Sequence, residues 1–78
     1  MSEKEVREWF ELEPYLSLAR AIRASPKKSK EIAKIIVIQE SETEEMIDSL
    51  EKSGAIEYTG TGWKLTTLGE KVLKEYLE

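Results

Sequence analysis

The stretch that decides the fold runs from residue 32 to residue 56 and reads IAKIIVIQESETEEMIDSLEKSGAI. It contains two runs of inward-facing positions with helical spacing, separated by a short polar break. These positions are Ile32, Ala33 and Ile36 in the first run, and Thr43, Met46, Ile47 and Leu50 in the second. Each run would put its apolar side chains on one face of a helix. The spacing therefore predicts two helices joined by a tight turn.

The ends of the second helix are marked as well. Gln39 and Ser41 lie in the polar break, and either side chain can cap the helix. Ser41 together with Glu44 forms an S-x-x-E capping box. Gly54 follows the second run, where helices commonly end in a left-handed residue. The stretch is thus predicted to form a helix, a turn, a second helix and a stop.

Further helices are predicted before this pair. A short N-terminal helix is indicated by three apolar residues on one helical face, namely Val6, Trp9 and Phe10. The chain breaks near Glu13, because the residue before a proline avoids the helical region. Pro14 then suits the first turn of a new helix, predicted over residues 14–24. Another helix is expected to start near Ser29.

A hairpin and a last helix are predicted after the pair. Residues 56–59 alternate like a strand, residues 60–62 form a Gly-Thr-Gly turn, and residues 63–65 return as a second strand. Thr66 is placed to cap a helix over residues 67–77. Its apolar face would hold Leu68, Val72, Leu73, Tyr76 and Leu77. The sequence therefore predicts an α+β chain that is mostly helical.

Two motifs in this layout resemble those of winged helix-turn-helix proteins. Residues 50–56, LEKSGAI, resemble the L-E-x-x-G-hydrophobic-I segment in which that family leaves its recognition helix for the wing. Residues 63–69, WKLTTLG, resemble the x-x-L-T-x-x-G segment that closes the wing. The resemblance covers roughly residues 15–75. It implies a three-helix core with a short two-stranded β wing and a C-terminal helix over 14–78, preceded by a helical extension over 1–13.

The same resemblance implies a function and a set of site residues. In winged-helix proteins the second helix of the motif enters the major groove of DNA. The chain is similar to small archaeal and bacterial transcription regulators, which implies weak binding of duplex DNA. The implied contacts are Lys27, Lys28 and Lys30 at the start of the first motif helix, Ser41, Glu42, Glu45 and Ser49 on the second, and Lys64 on the wing.

One stretch of the chain is basic and the next is acidic, although the net charge of the whole chain is only −4. Residues 15–34 contain six cations and one acid, whereas residues 35–57 contain seven acids and one lysine. Carboxylates on a groove-facing helix repel phosphates. The helix dipole favours Glu42 and Glu44 near the N-terminus of the second motif helix. It leaves Glu45, Asp48 and Glu51 without an explanation.

Two functions therefore stay open. The first is the DNA-binding regulator, with the basic flank on the phosphates. The second is a protein-interaction module, whose acidic motif helix docks a basic partner in a transcription, replication or membrane-remodelling assembly. The basic segment is equally compatible with phosphate contacts and with a solvated face that balances the acidic one.

Apolar residues near the turn depart from the family pattern, as do the acids of the second motif helix. Val37 stands where the motif usually has Gly, and a β-branched residue is costly in a left-handed conformation. We therefore expect an altered turn. Ile35, Val37 and Ile38 either leave an apolar patch for a partner or are covered by the N-terminal helix through Trp9 and Phe10. The second alternative is favoured.

The two terminal helices raise the question of oligomeric state. Their apolar stripes, Val6, Trp9 and Phe10 with Leu73, Tyr76 and Leu77, either fold onto each other within one chain or pair across a two-fold axis. The sequence favours the homodimer, because Trp and Tyr are enriched at the centres of interfaces.

Composition narrows the function further. The chain has neither Cys nor His, which removes the thiolate and imidazole metal ligands and the commonest general base. We expect no enzymatic activity, no metal, no cofactor and no small-molecule substrate. No run approaches the ~20 apolar residues of a membrane span, so a cytoplasmic protein without membrane contact is expected. The abundance of Lys and Glu and the absence of Asn are typical of thermophiles, and an archaeal source is expected.

Overall fold

Five helices and one two-stranded antiparallel sheet make up residues 2–77, the part of the chain that the computed structural model describes, with the side chain of Leu77 left out. In chain order the elements are α1 (Glu3–Phe10), α2 (Tyr15–Arg23), α3 (Ser29–Ile36), α4 (Glu40–Ser53), β1 (Ile56–Thr59), β2 (Gly62–Leu65) and α5 (Thr67–Leu77). The predicted α+β, mostly helical class is confirmed.

Side chains close to the first turn cap three of the helices. The Ser2 Oγ accepts a hydrogen bond from the Glu5 N–H at the start of α1 (3.1 Å). The Thr66 Oγ1 does the same for the Gly69 N–H at the start of α5 (3.0 Å), as predicted. The Glu31 carboxylate accepts from the Lys28 N–H before α3 (3.3 Å). These bonds satisfy N–H groups that have no partner inside a helix.

The start of α4 differs from the prediction. The helix begins at Glu40 with Gln39 in the N-cap position, so Ser41 already lies in the first turn. The predicted capping box of Ser41 and Glu44 is therefore wrong. The hydroxyl that reaches back is that of Thr43, which donates to the Gln39 carbonyl oxygen (3.0 Å).

The end of α4 follows the prediction. Gly54 adopts a left-handed conformation with φ of 88°. Its N–H donates to the Glu51 carbonyl, and the Ala55 N–H donates to the Leu50 carbonyl, both at 3.0 Å. This pair of bonds is the Schellman pattern that ends many helices. It turns the chain directly into β1.

Val37 ends α3 in the left-handed region, with φ of 58° and ψ of 55°. The expectation of an altered turn is therefore wrong, because the valine adopts the conformation that a glycine would take. Its side chain is 83% exposed, so the branched Cβ lies in solvent rather than against a neighbour. The strain is local and packing does not compensate it.

One hydrophobic core joins the helices and the start of the sheet. Its buried side chains are Val6, Phe10, Leu18, Ala19, Ile22, Ile32, Met46, Ile47, Leu50, Ala55, Ile56, Val72 and Leu73. Fully burying one large apolar side chain stabilises a fold by about 1.5–3 kcal/mol. Because α1 contributes Val6 and Phe10, the predicted extension over 1–13 shares its core with residues 14–78.

Helix α1 packs against α5 of the same chain. The Tyr76 hydroxyl donates to the Arg7 carbonyl oxygen (3.1 Å), and burial raises the pKa of that hydroxyl. The Arg7 guanidinium forms a bidentate pair with Glu75 (3.0 and 2.9 Å), which raises the pKa of Arg7. Hydrogen bonds from Lys71 and then Arg7 lower the pKa of Glu3. Polar contacts thus reinforce the apolar contact between the two helices.

The apolar stripes of the terminal helices therefore meet within one chain. Val6, Phe10 and Leu73 are fully buried and are core residues. Trp9 and Tyr76 are half-buried, and the side chain of Leu77 lies outside the described part. The homodimer stays a prediction, but Val6, Phe10 and Leu73 do not reach the surface in this arrangement.

The apolar residues beside the turn stay in solvent. Ile35 is 50% exposed and Val37 83% exposed, while Ile38 is half-buried. The predicted cover by Trp9 and Phe10 is wrong, because Phe10 points into the core and Trp9 packs on Tyr15 with ring centroids 4.9 Å apart.

We predict that Gly69→Ala destabilises the chain by about 1–3 kcal/mol, the usual cost of overpacking. A Cβ at position 69 would overlap the Ala55 carbonyl oxygen, which also accepts the Thr66 N–H (3.0 Å). The clash outweighs the gain in helix propensity of up to ~1 kcal/mol. Urea denaturation gives the net change in the free energy of unfolding, which contains both the clash and the gain in helix propensity. The matched control is Gly60→Ala, whose Cβ would meet nothing within 4 Å and whose effect should stay within about 0.5 kcal/mol.

We also predict that Val37→Gly stabilises the chain. A left-handed residue with a Cβ costs roughly 1–2 kcal/mol, and the greater entropy that glycine loses on folding takes back about 0.5–1 kcal/mol. A net gain of about 0.5–1 kcal/mol should appear in the free energy of unfolding. Ile35→Gly, at a partly exposed position inside α3, should lose about 1 kcal/mol instead. A loss at both positions would contradict the strain at Val37.

Candidate nucleic-acid interface

The segment before α3 is held against β2 by two backbone hydrogen bonds. The Lys27 N–H donates to the Trp63 carbonyl (3.1 Å), and the Trp63 N–H donates to the Lys27 carbonyl (2.7 Å). Lys27 thereby extends the sheet on the free side of β2, opposite β1. The bridge joins the start of the basic segment over residues 27–30 to the strand that carries Lys64, the residue after Trp63.

Gly62 makes this close approach possible. Its φ is +149°, and a Cβ there would lie 2.6 Å from the Lys27 carbonyl carbon. Sequence reasoning assigned Gly62 to the hairpin turn and missed the bridge, because a single bridging residue leaves no periodicity to detect. The available signal was the glycine itself, since a glycine in a strand often marks a close backbone approach.

The lysines of the basic segment differ in their exposure and in their hydrogen bonds. Lys27 is half-buried, and its Nζ donates to the Ser25 Oγ (2.9 Å). Lys28 occupies the N-cap of α3 and Lys30 its first turn, and both are exposed. Within residues 2–77 the ion pairs involve none of Lys27, Lys28, Lys30 and Lys64. Their charges remain available to an anion.

The predicted contacts on α4 lie on a surface dominated by acids. Ser41, Glu42 and Glu45 are exposed. Ser49 is half-buried, and its hydroxyl donates to the Glu45 carbonyl (3.2 Å), so it is already engaged. Lys52, the one basic residue of α4, pairs with Asp48 (2.9 Å).

A neighbouring row on α4 forms an acidic cleft with β2. Glu44, Asp48 and Glu51 are spaced to lie on one helical face. With Trp63, Ser29 and Ile47 they line a cleft of about 290 Å³. Trp63 also packs edge-on against Tyr58, with ring centroids 5.2 Å apart. Asp48 and Glu51, two of the three acids that the helix dipole did not explain, thus line a cleft beside Trp63.

A larger groove lies between the end of α2, β2 and α5. Its volume is about 660 Å³, and its basic residues are Arg23, Lys64, Lys71 and Lys74. Ser25 also lines it, so the hydrogen bond from Lys27 to Ser25 puts that ammonium at the edge of the groove. Sequence reasoning found only Lys64 here. Lys71 and Lys74 alternate with acids along α5, a pattern that usually indicates a solvated face.

Metal and membrane sites do not emerge from the described residues. Within residues 2–77 no group of three or more Asp or Glu side chains is arranged to hold a metal ion. None of the helices in that range is long and apolar enough to cross a membrane.

No protein-family model, no curated protein and no solved structure matches the chain. The likeness to winged-helix proteins therefore stays a prediction from its two sequence motifs.

Proposed function

We propose that the chain is a winged-helix protein that binds duplex DNA weakly and acts as a transcription regulator. The order of α2, α3, α4 and the β1–β2 hairpin supports this reading. The observation that carries it is the bridge between Lys27 and Trp63. It joins the basic start of α3 to the hairpin, and we propose that Lys27, Lys28, Lys30 and Lys64 act together as one basic face.

The electrostatics of this face favour a phosphate backbone. Duplex DNA carries about one charge per 1.7 Å of axis, and each neutralised phosphate releases counterions. Four contacts would give a slope of log affinity against log salt of about −3.6, at roughly −0.9 per contact. This slope is shallow beside that of proteins with 6–10 phosphate contacts. Binding should therefore be weak and lost at moderate salt.

The acids of α4 limit how that helix can take part. A helix that reads the major groove uses mainly Arg, Lys, Asn and Gln. Glu42 or Glu45 could accept a hydrogen bond from the N4 of a cytosine. The remaining acids would face phosphates and repel them. The basic face therefore supplies the affinity for duplex DNA, and α4 makes at most one or two base contacts.

A second candidate is supported by the acidic cleft. The row of Glu44, Asp48 and Glu51 beside Trp63 offers carboxylates and an aromatic face to the same guest. A lysine or arginine side chain is attracted by both. A basic protein partner would use this cleft, whereas DNA would use the basic face.

We predict that Lys28→Ala and Lys30→Ala, made singly, each reduce the salt slope of duplex binding by about 0.9. Both lysines are exposed, so neither change should disturb the fold. Fluorescence anisotropy with a labelled duplex at several salt concentrations gives the slope. The matched control is Lys4→Ala on α1, which is also exposed and should leave the slope unchanged.

An NMR titration with the same duplex should shift amides over residues 27–34 and around Lys64. Absence of shifts at high protein concentration would exclude the DNA proposal.

We further predict that Glu42→Lys combined with Glu45→Lys strengthens duplex binding and steepens the slope by about 1.8, two contacts at roughly 0.9 each. Reversing two charges that face DNA replaces repulsion with attraction. The control pair is Glu5→Lys with Glu8→Lys, which has the same spacing and exposure on α1. Equal effects of the two pairs would mean that α4 does not face the duplex.

A further inference from the structure

The groove between α2, β2 and α5 combines an apolar floor with a basic rim. Ile22, Pro26 and Leu65 supply apolar lining, and Arg23, Lys64, Lys71 and Lys74 supply the cations. We propose that this groove binds a phosphomonoester that carries an apolar or aromatic body, a ligand of about the size of a nucleoside monophosphate. None of the helix α4 residues takes part in this site.

The charge balance of the rim fits such a ligand. Arg23 is paired with Glu70 (3.2 Å), and Lys71 is paired with Glu3 (3.3 Å). Lys64 and Lys74 form no ion pair with another residue in the described range, and Glu57 opposite Lys64 on β1 does not come close enough to form one. Within residues 2–77 these two positive charges therefore have no ion-pair partner. A phosphomonoester carries about −1.5 to −2 charges at pH 7 and three acceptor oxygens, which matches these two ammonium groups.

The shape of the groove indicates the second part of the ligand. Its volume of about 660 Å³ exceeds what a phosphate group alone would fill. Ligand sites of small molecules usually span about 300–1,000 Å³ and are mostly apolar with a few polar anchors. Pro26 is exposed and Leu65 half-buried, so an apolar body laid on them would shield apolar surface from water. The phosphate anchors the ligand at the rim, and the body rests on the floor.

Lys64 belongs both to this groove and to the basic face of the proposed DNA interface. A ligand that neutralises Lys64 would remove one phosphate contact from the duplex. This regulatory consequence rests on the proposed function, whereas ligand binding itself does not. The groove would then act as an effector site.

Titration of the full chain with AMP, followed by NMR, tests the site. Saturable amide shifts are expected over residues 24–25, 64–67 and 71–74. Adenosine, which lacks the phosphate, and inorganic phosphate, which lacks the body, should each bind at least about tenfold more weakly, a free-energy difference of about 1.4 kcal/mol. Absence of saturable shifts with AMP would overturn the proposal. Inorganic phosphate binding as tightly as AMP would overturn it too, because the lysines would then only attract anions.

A pair of charge reversals separates this site from the DNA interface. Lys74→Glu should weaken AMP binding by about tenfold or more, and Lys74→Gln should weaken it by less, with the amide spectrum otherwise retained. Lys30→Glu is the matched control, which should leave AMP binding unchanged and weaken the duplex. If neither Lys74 variant changes the affinity for AMP, the proposed site is wrong. A chain that binds AMP and no duplex would refute the DNA proposal alone, while duplex binding without AMP binding would refute only the groove.

Discussion

Two backbone hydrogen bonds between Lys27 and Trp63 determine how the surface of this chain is arranged. They need a residue without a side chain at position 62, because a Cβ there would meet the Lys27 backbone at 2.6 Å. They fix the start of α3 relative to the hairpin, and α3 in turn packs on α2 and α4. Without them, only the packing of α3 on α2 and α4 would position Lys28 and Lys30 relative to the hairpin. The distance between the basic start of α3 and the hairpin is thus set by this contact between a loop and a strand.

Strand β2 also separates the two signs of charge. Successive side chains of a strand point to opposite faces. Trp63 lines the acidic cleft with Glu44, Asp48 and Glu51, and Lys64 lines the basic groove. The acidic cleft and the basic groove thus lie on opposite sides of one short strand. A single step in register would exchange these sides, so the pairing of Tyr58 with Trp63 and of Glu57 with Lys64 decides which side chain lines the cleft and which lines the groove.

Sequence periodicity identified the elements well, because a helix or strand with one buried face leaves a regular pattern of apolar residues. It placed Gly54 and Thr66 in their capping roles, since both depend on local chemistry. It misplaced the start of α4 by treating Ser41 as the cap, because Ser and Gln are both compatible with that position. The groove was largely missed for another reason. Arg23, Lys64 and Lys74 lie far apart along the chain, and only tertiary packing brings them together. A contact of this kind has no local signature, and neither does the cover that α1 gives to α5.

The packing of α1 on α5 limits the surfaces through which two copies of the chain could associate. A chain of this length has a small core, and Val6 and Phe10 of α1 are fully buried in it beside Leu73. The bond from Tyr76 to the Arg7 carbonyl and the pair between Arg7 and Glu75 hold the two helices together at their polar edge. Separating them to pair with another copy would expose these apolar side chains and break those bonds before any new contact formed. Among the described residues, the large apolar side chains that remain in solvent are Leu12, Ile35, Val37 and Tyr58. A dimer that leaves the fold intact would have to be built on surfaces that contain them or on charge complementarity, and not on the terminal stripes.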